Sequence, residues 1–223
     1  MGKQTVEEYI KSLSAADGLP GGGSAAALVG TMSVALGKMV TEVYGRRKKA
    51  TSQKNKINTL HEKTTQLMEE IESLMEKDAQ AFEVVSKAYQ LPKKTKEEKV
   101  NRAKEIEASL AYASNPPIEL MEKSNTGIGL LEQIISLKIT GSIVNDIAVG
   151  LLFAKVALEA AYLNVLVNTK MMKNKEERKK LEDRSRRLKE TGIQKADKLY
   201  QDVLAYLQDS KWPGVKTDAG GSV

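Results

Sequence analysis

The chain has no cysteine, one histidine, five prolines, and aromatic residues at only 4% of its 223 positions. Without cysteine there is no disulfide framework, no thiolate metal site and no thiol nucleophile. The lone histidine, His61, excludes a multi-histidine metal centre and leaves a Ser-His-Asp relay without support. It sits among Glu62, Lys63 and Thr64 and reads as exposed. The longest apolar runs, residues 25–36 and 147–154, fall short of the ~20 residues of a membrane span. Residues 1–19 are polar and do not read as a leader. A soluble, cytoplasmic protein with no membrane partner and no metal is expected.

What remains is rich in Ala, Leu, Lys and Glu, the composition of an all-α chain. The expected fold is a multihelical antiparallel bundle with long helices. It forms one domain over residues 1–223, with residues 209–223 as a frayed tail. Net charge is +6, and residues 170–198 alone set twelve Lys/Arg against six Asp/Glu. The excess therefore belongs to one segment. Its mixed signs and lack of interleaved aromatics describe a solvated helix face, and no nucleic-acid partner is expected.

The stretch Pro20-Gly21-Gly22-Gly23-Ser24 organises the rest. Each glycine inside a helix costs roughly 0.5–1 kcal/mol, so the run reads as a flexible turn. Ser24 is placed as N-cap of a helix over residues 24–44. Bare N–H groups and a positive dipole end meet there and suit an anion or a polar ring edge, or the turn lets helices pack closely. Along that helix Ala26, Gly30, Ser33 and Gly37 form a stripe almost without side chains. The stripe serves close packing or lies under a flat ligand. Gly45 is read as its C′ stop. Arg46-Arg47-Lys48-Lys49 follows, either structural at the helix's negative end or a holder for an anionic tail.

Periodicity places the other helices at residues 4–16, 53–88, from Thr95 to 113, from Ile118, at 129–138, at 143–171 and at 175–208. Thr95 and Glu98 spell a capping box. Asn115-Pro116-Pro117 breaks one helix and starts the next, and Ser124-Asn125-Thr126-Gly127 is read as a turn. The apolar stripe of residues 53–88 includes Phe82 and Val85. Asp78 falls in register with it, four residues after Leu74 and four before Phe82. A carboxylate there must be paired, hydrogen-bonded or raised in pKa. Helix 143–171 is apolar on nearly every side and is placed centrally. Asn145, Asp146, Asn164 and Asn168 interrupt it, with Asp146 a second candidate buried carboxylate. Asn164 and Asn168 share a face and either satisfy a neighbouring backbone or bind a ligand amide. Lys155 and Glu159 read as an i,i+4 pair. A carboxylate in an apolar site can act as general acid/base or stabilise a cation, which does not name a substrate.

Six segments in order resemble one family. They are Pro20-Gly-Gly-Gly-Ser-Ala-Ala-Ala, Tyr44-Gly45-Arg46-Arg47, Asp78-Ala-Gln-Ala-Phe82, Leu91-Pro92-Lys93, Asn145-Asp146 and Asn164-Val-Leu-Val-Asn168. The family is the formimidoyltetrahydrofolate cyclodeaminase / methenyltetrahydrofolate cyclohydrolase group, and the likeness covers residues 5–208. It implies an all-α homodimer acting on a tetrahydrofolate, without a separate cofactor. The expected reaction closes 5-formimidoyltetrahydrofolate to the 5,10-methenyl form with loss of ammonia. The alternatives are methenyltetrahydrofolate cyclohydrolase activity, or a non-catalytic folate-binding protein. The resemblance maps the acid/base onto Asp78, with Asp146 as a pterin-binding or cation-stabilising group. Gly21, Gly22, Gly23 and Ser24 would lay backbone against the folate, Arg46 and Arg47 would hold its glutamate tail, and Asn145 and Asn164 would join the substrate contacts. The chain departs from the family pattern at Asn145, where serine is usual, and at Ile139-Thr140, where a Gly-Asn pair is usual.

Overall fold

The computed structural model describes residues 4–16 and 19–214. Among the described residues seven α-helices follow one another: α1 (Val6–Leu13), α2 (Gly22–Gly45), α3 (Lys54–Gln90), α4 (Lys96–Ala113), α5 (Asn115–Ser136), α6 (Val144–Lys170) and α7 (Lys175–Asp209). A 3₁₀ segment, Lys48–Gln53, links α2 to α3, and no strand occurs among the described residues. The expected tail beyond residue 214 and the residues 17–18 that would end the first helix lie outside the described residues.

Local chemistry sets several boundaries. Thr5 and Glu8 close a capping box on α1, and Thr95 and Glu98 close the expected one on α4. Asn174 caps α7 by accepting the Glu176 and Glu177 N–H groups. Pro116 and Pro117 occupy the first turn of α5, where their missing N–H groups cost nothing.

α2 and α6 form the centre and run antiparallel. Gly22 faces Asn164, Gly30 faces Ala157, and Ser33 faces Gly150. The Ser33 hydroxyl donates to the Gly150 carbonyl at 2.7 Å. α3 and α5 close on α2 from its other sides, while α7 covers α5 and α6. The small-residue stripe of α2 serves this packing. Ala26, Gly30, Ser33 and Gly37 are all buried, and a Cβ on Gly30 would lie 3.1 Å from Leu120 Cδ1 and 3.3 Å from Ile71 Cγ2. No surface is left on the stripe for a flat ligand.

Several sequence expectations are corrected. Ser124–Gly127 is no turn, because α5 is continuous from Asn115 to Ser136. Its polar groups are answered within the bundle: the Asn125 amide donates to the Met121 and Leu188 carbonyls, and Thr126 donates to Glu122. Gly127 admits Val34, 3.2 Å from where its Cβ would be. Gly45 is the last helical residue rather than a left-handed stop, and what it admits is Ile57, 3.2 Å from its Cβ position. Lys155 pairs with Asp197 and Glu159 with Lys189, so helix α7 takes both partners of the expected i,i+4 pair. His61 is half-buried, with Nδ1 3.4 Å from the Thr41 hydroxyl.

The basic segment is largely a solvated face stitched to its neighbours, through Arg184–Glu122, Lys195–Glu132 and Lys189–Glu159 among others. By length and composition α2 and α6, of 24 and 27 residues, could cross a membrane, although their strictly apolar runs are shorter. Burial in the bundle accounts for part of that hydrophobicity, while α6 also keeps apolar residues exposed at Leu152, Val156, Leu163 and Val167.

Candidate active site

Two glycines open α2, and a side chain has taken the space at one of them, Gly23. The N-cap is Gly21 and not Ser24; Gly22 and Gly23 form the first turn, and Ser24 is fully buried inside it. A Cβ on Gly23 would fall inside the carboxylate of Asp78, which reaches over from the middle of α3. The Ser24 backbone N–H donates to that carboxylate. Asp78 thus satisfies one of the bare N–H groups at the start of α2 from another helix. Tyr9 of α1 is buried and its hydroxyl lies 3.1 Å from Ser24 Oγ, which docks α1 on the same turn.

The carboxyl of Asp78 is pushed above the usual carboxylate range by burial, against the opposing pull of the Ser24 N–H. The burial comes from apolar groups behind it, namely Leu74, Pro116, Pro117 and Leu120, packed around a residual void of about 10 Å³. A half-buried carboxyl with raised pKa and one face open to a cleft is suited to gain and lose a proton during a reaction.

That cleft has a volume of about 400 Å³. Gly21, Gly22, Gly23, Asp78, Asn164 and Asn168 form its polar end, and Ala81, Phe82, Val85, Leu110, Val167 and Tyr89 form its walls. The two asparagines are held. Asn164 Nδ2 donates to the Ala160 carbonyl at 2.8 Å, and Asn168 Nδ2 donates to the Ala113 carbonyl at 2.9 Å. Each amide therefore satisfies a backbone carbonyl while lining the cleft. A wider cleft of about 770 Å³ lies between α1, α2 and α3. Its carboxylate lining is Glu69, Glu72 and Glu76, all at exposed positions, so it lacks the convergence of polar groups seen around Asp78.

The structure brings together Gly21, Gly22, Gly23, Ser24, Asp78 and Asn164. It does not bring Arg46, Arg47, Asn145 or Asp146 to them within one copy of the chain. α2 spans about 36 Å at 1.5 Å per residue, and the two arginines follow its far end. Arg46 pairs with Glu42. Arg47 donates to the Thr140 carbonyl at 2.6 Å and packs against Tyr44. Asp146 is half-buried in the first turn of α6, about 27 Å along the helix from Asn164, and Asn145 is exposed. Asp146 is thus not a second buried carboxylate. The loop before it is tied down instead: Trp212 donates to the Ile139 carbonyl at 2.8 Å, and the Gly141 N–H donates to Tyr206 at 3.0 Å.

Phe82 and Val85 do not belong to the core stripe of α3. Phe82 is 52% exposed and both residues line the cleft. The signal was their spacing, since Asp78, Phe82, Val85 and Tyr89 recur on one helix face. Val167 of α6 and Met171 just after it, also lining residues, carried no signal beyond being apolar.

Comparisons with known proteins bear on the family and the fold. The formiminotransferase-cyclodeaminase family model matches residues 5–187. A methenyltetrahydrofolate cyclohydrolase of Methylorubrum extorquens is 32% identical over 169 residues, covering 76% of this chain and 81% of that protein. A crystal structure of formiminotetrahydrofolate cyclodeaminase from Thermotoga maritima superposes with a TM-score of 0.76 at 20% identity, over 91% of this chain and 98% of that one, and shows the shared fold. The chain belongs to the formiminotransferase-cyclodeaminase family.

Proposed function

We propose that the protein is a folate one-carbon enzyme that opens and closes the bridge between N5 and N10 of tetrahydrofolate, with Asp78 as its acid/base. The observation that carries this is a carboxyl of raised pKa facing a cleft with a polar end and apolar walls. In the cyclohydrolase direction, water attacks the cationic methenyl carbon. The Asp78 carboxylate takes a proton from that water, and the carboxylic acid then protonates N5 as its bond to the carbon breaks. The product is the 10-formyl form with release of one proton. The negative carboxylate also offsets the cation's charge before attack. Asn164 and Asn168 are placed to orient the pterin through their amides, and Phe82 and Val85 to cover the ring beyond N10. The relative of 32% identity favours this reading.

The second reading, cyclodeaminase, needs the same group in the opposite sense. N10 attacks the carbon of the protonated formimidoyl group, the N10 proton passes through Asp78 to the departing nitrogen, and ammonia leaves as the methenyl cation forms. The shared fold with the Thermotoga maritima protein is compatible with it. Incubation with 5,10-methenyltetrahydrofolate, and separately with 5-formimidoyltetrahydrofolate, separates the two by methenyl absorbance and ammonia release. Turnover of the first alone supports the cyclohydrolase. Turnover of neither removes the catalytic reading and leaves a folate-binding protein, which calorimetry would detect.

The protein is further proposed to be a cytoplasmic homodimer. Its support is a row of uncovered apolar residues on α6, Leu152, Val156, Leu163 and Val167.

A further inference from the structure

We propose that Arg102 anchors the glutamate carboxylate of the folate, at the end of the cleft away from Asp78. This rests on the folate reading above. Asp78 and Tyr89 lie eleven residues apart on α3, so the lining of the cleft extends about 16 Å along that helix. With N5 and N10 at Asp78, a folate lays its benzoyl ring along Phe82 and Val85. Its glutamate then emerges beside Tyr89. Among the described residues the lining of the cleft contains no Lys or Arg, and Arg46 and Arg47 stand beyond the far end of α2. A dianionic tail needs a cation at the mouth.

Arg102, on α4, is that cation. Its guanidinium donates to the Tyr89 carbonyl at 3.0 Å, and its Cζ lies 5.6 Å from the centroid of the Tyr89 ring. Tyr89 thereby holds the guanidinium at the mouth through both ring and backbone. Arg102 has no ion-pair partner among the described residues, and its Nε is buried without a hydrogen-bond acceptor. Most guanidinium groups that are half-buried have spent their charge on a carboxylate; this one has not. A planar fork with donors to spare is the chemistry that receives a carboxylate in two parallel hydrogen bonds.

The test compares 5,10-methenyltetrahydrofolate with 5,10-methenyltetrahydropteroate, which lacks the glutamate. Arg102→Gln raises KM for the folate about tenfold or more while kcat stays within about twofold, and Arg102→Lys falls between. With the pteroate the KM of Arg102→Gln matches that of the parent protein. An equal rise in KM for both compounds would show that Arg102 only supports Tyr89 and would overturn the proposal, as would no change for the folate. Far-UV circular dichroism and melting of both variants establish that they fold. If the parent protein turns over neither compound, the cyclohydrolase reading fails on its own. Calorimetric binding of tetrahydrofolate against tetrahydropteroate then decides the role of Arg102: a preference for the folate that Arg102→Gln abolishes supports it, and no preference overturns it.

Discussion

Asp78 is held in a state that costs stability. Its folded pKa is raised above the ordinary carboxylate value by burial. A raised acid contributes stability that is fully present below the unfolded pKa and is lost as pH rises through the folded pKa. Asp78→Asn, which keeps an acceptor for the Ser24 N–H, therefore leaves melting unchanged in acid and raises Tm at neutral pH. The same substitution lowers kcat by roughly 10²–10⁴. Differential scanning calorimetry across pH, run beside the methenyl assay, checks both halves; retained turnover would remove Asp78 from the mechanism. Since the carboxylate must accept a proton from water, cyclohydrolase kcat/KM rises with pH on an acid limb lying above the usual carboxylate range. Gly23→Ala tests the neighbour. The new Cβ falls where the Asp78 carboxylate now sits. That carboxylate is the end of a rotatable side chain, so it can swing away, and better helix propensity offsets part of the cost. Stability should fall by no more than about 1–2 kcal/mol, while activity drops as far as in Asp78→Asn because the acid has left its place.

At the scale of elements, the central pair α2 and α6 is governed by close approach. Gly30→Val would push two methyls into Leu120 and Ile71, both immobilised in the core. The expected loss is about 1–3 kcal/mol, or roughly 2–4 °C of Tm per kcal/mol for a chain of this size. The contrast with Gly23→Ala is the check: one variant is less stable with its site chemistry intact, the other inactive with most of its stability. These helices also show what a sequence makes legible. The capping box at Thr95 and Glu98 and the proline pair at 116–117 act within one turn, so their boundaries were readable. Ser124–Gly127 has the composition of a turn but is helical, because Leu188 of α7 accepts the Asn125 amide and Val34 of α2 needs the gap at Gly127. Those partners lie more than sixty residues away and leave no local trace. The same holds at the site. Asp78 was legible as a carboxylate out of place in an apolar stripe. Which glycine it displaced, and that Phe82 faces the cleft rather than the core, depends on how α2 and α3 meet.

At the scale of the molecule, the residues read as one site from sequence lie at two ends of a single copy, and the proposed dimer offers a way to join them. Leu152, Val156, Leu163 and Val167 are 41–67% exposed, more than scattered surface apolar residues would explain along a central helix. Their spacing is symmetric about the midpoint between residues 159 and 160. A two-fold axis crossing α6 there would set Leu152 of one copy against Val167 of the other, and Val156 against Leu163. The same symmetry carries the Asp146 end of one copy to the region of Lys173 in the other, beside the Met171 edge of the cleft. The double variant Val156→Glu, Leu163→Glu should therefore sediment as a monomer of 24.5 kDa while the parent protein sediments at twice that mass, and should lose turnover as well as association. A parent protein that stays monomeric at micromolar concentration would end the dimer proposal. Complementation then asks whether the site is shared. Asp78→Asn and Asp146→Asn are each expected to be inactive when homodimeric. Mixed and allowed to exchange, they form mixed dimers in which one of the two sites draws a native Asp78 and a native Asp146 from different copies. Recovery toward about a quarter of parent activity is expected from random pairing. No recovery, with exchange verified by mass, would place each site within one chain and leave Asp146 outside it.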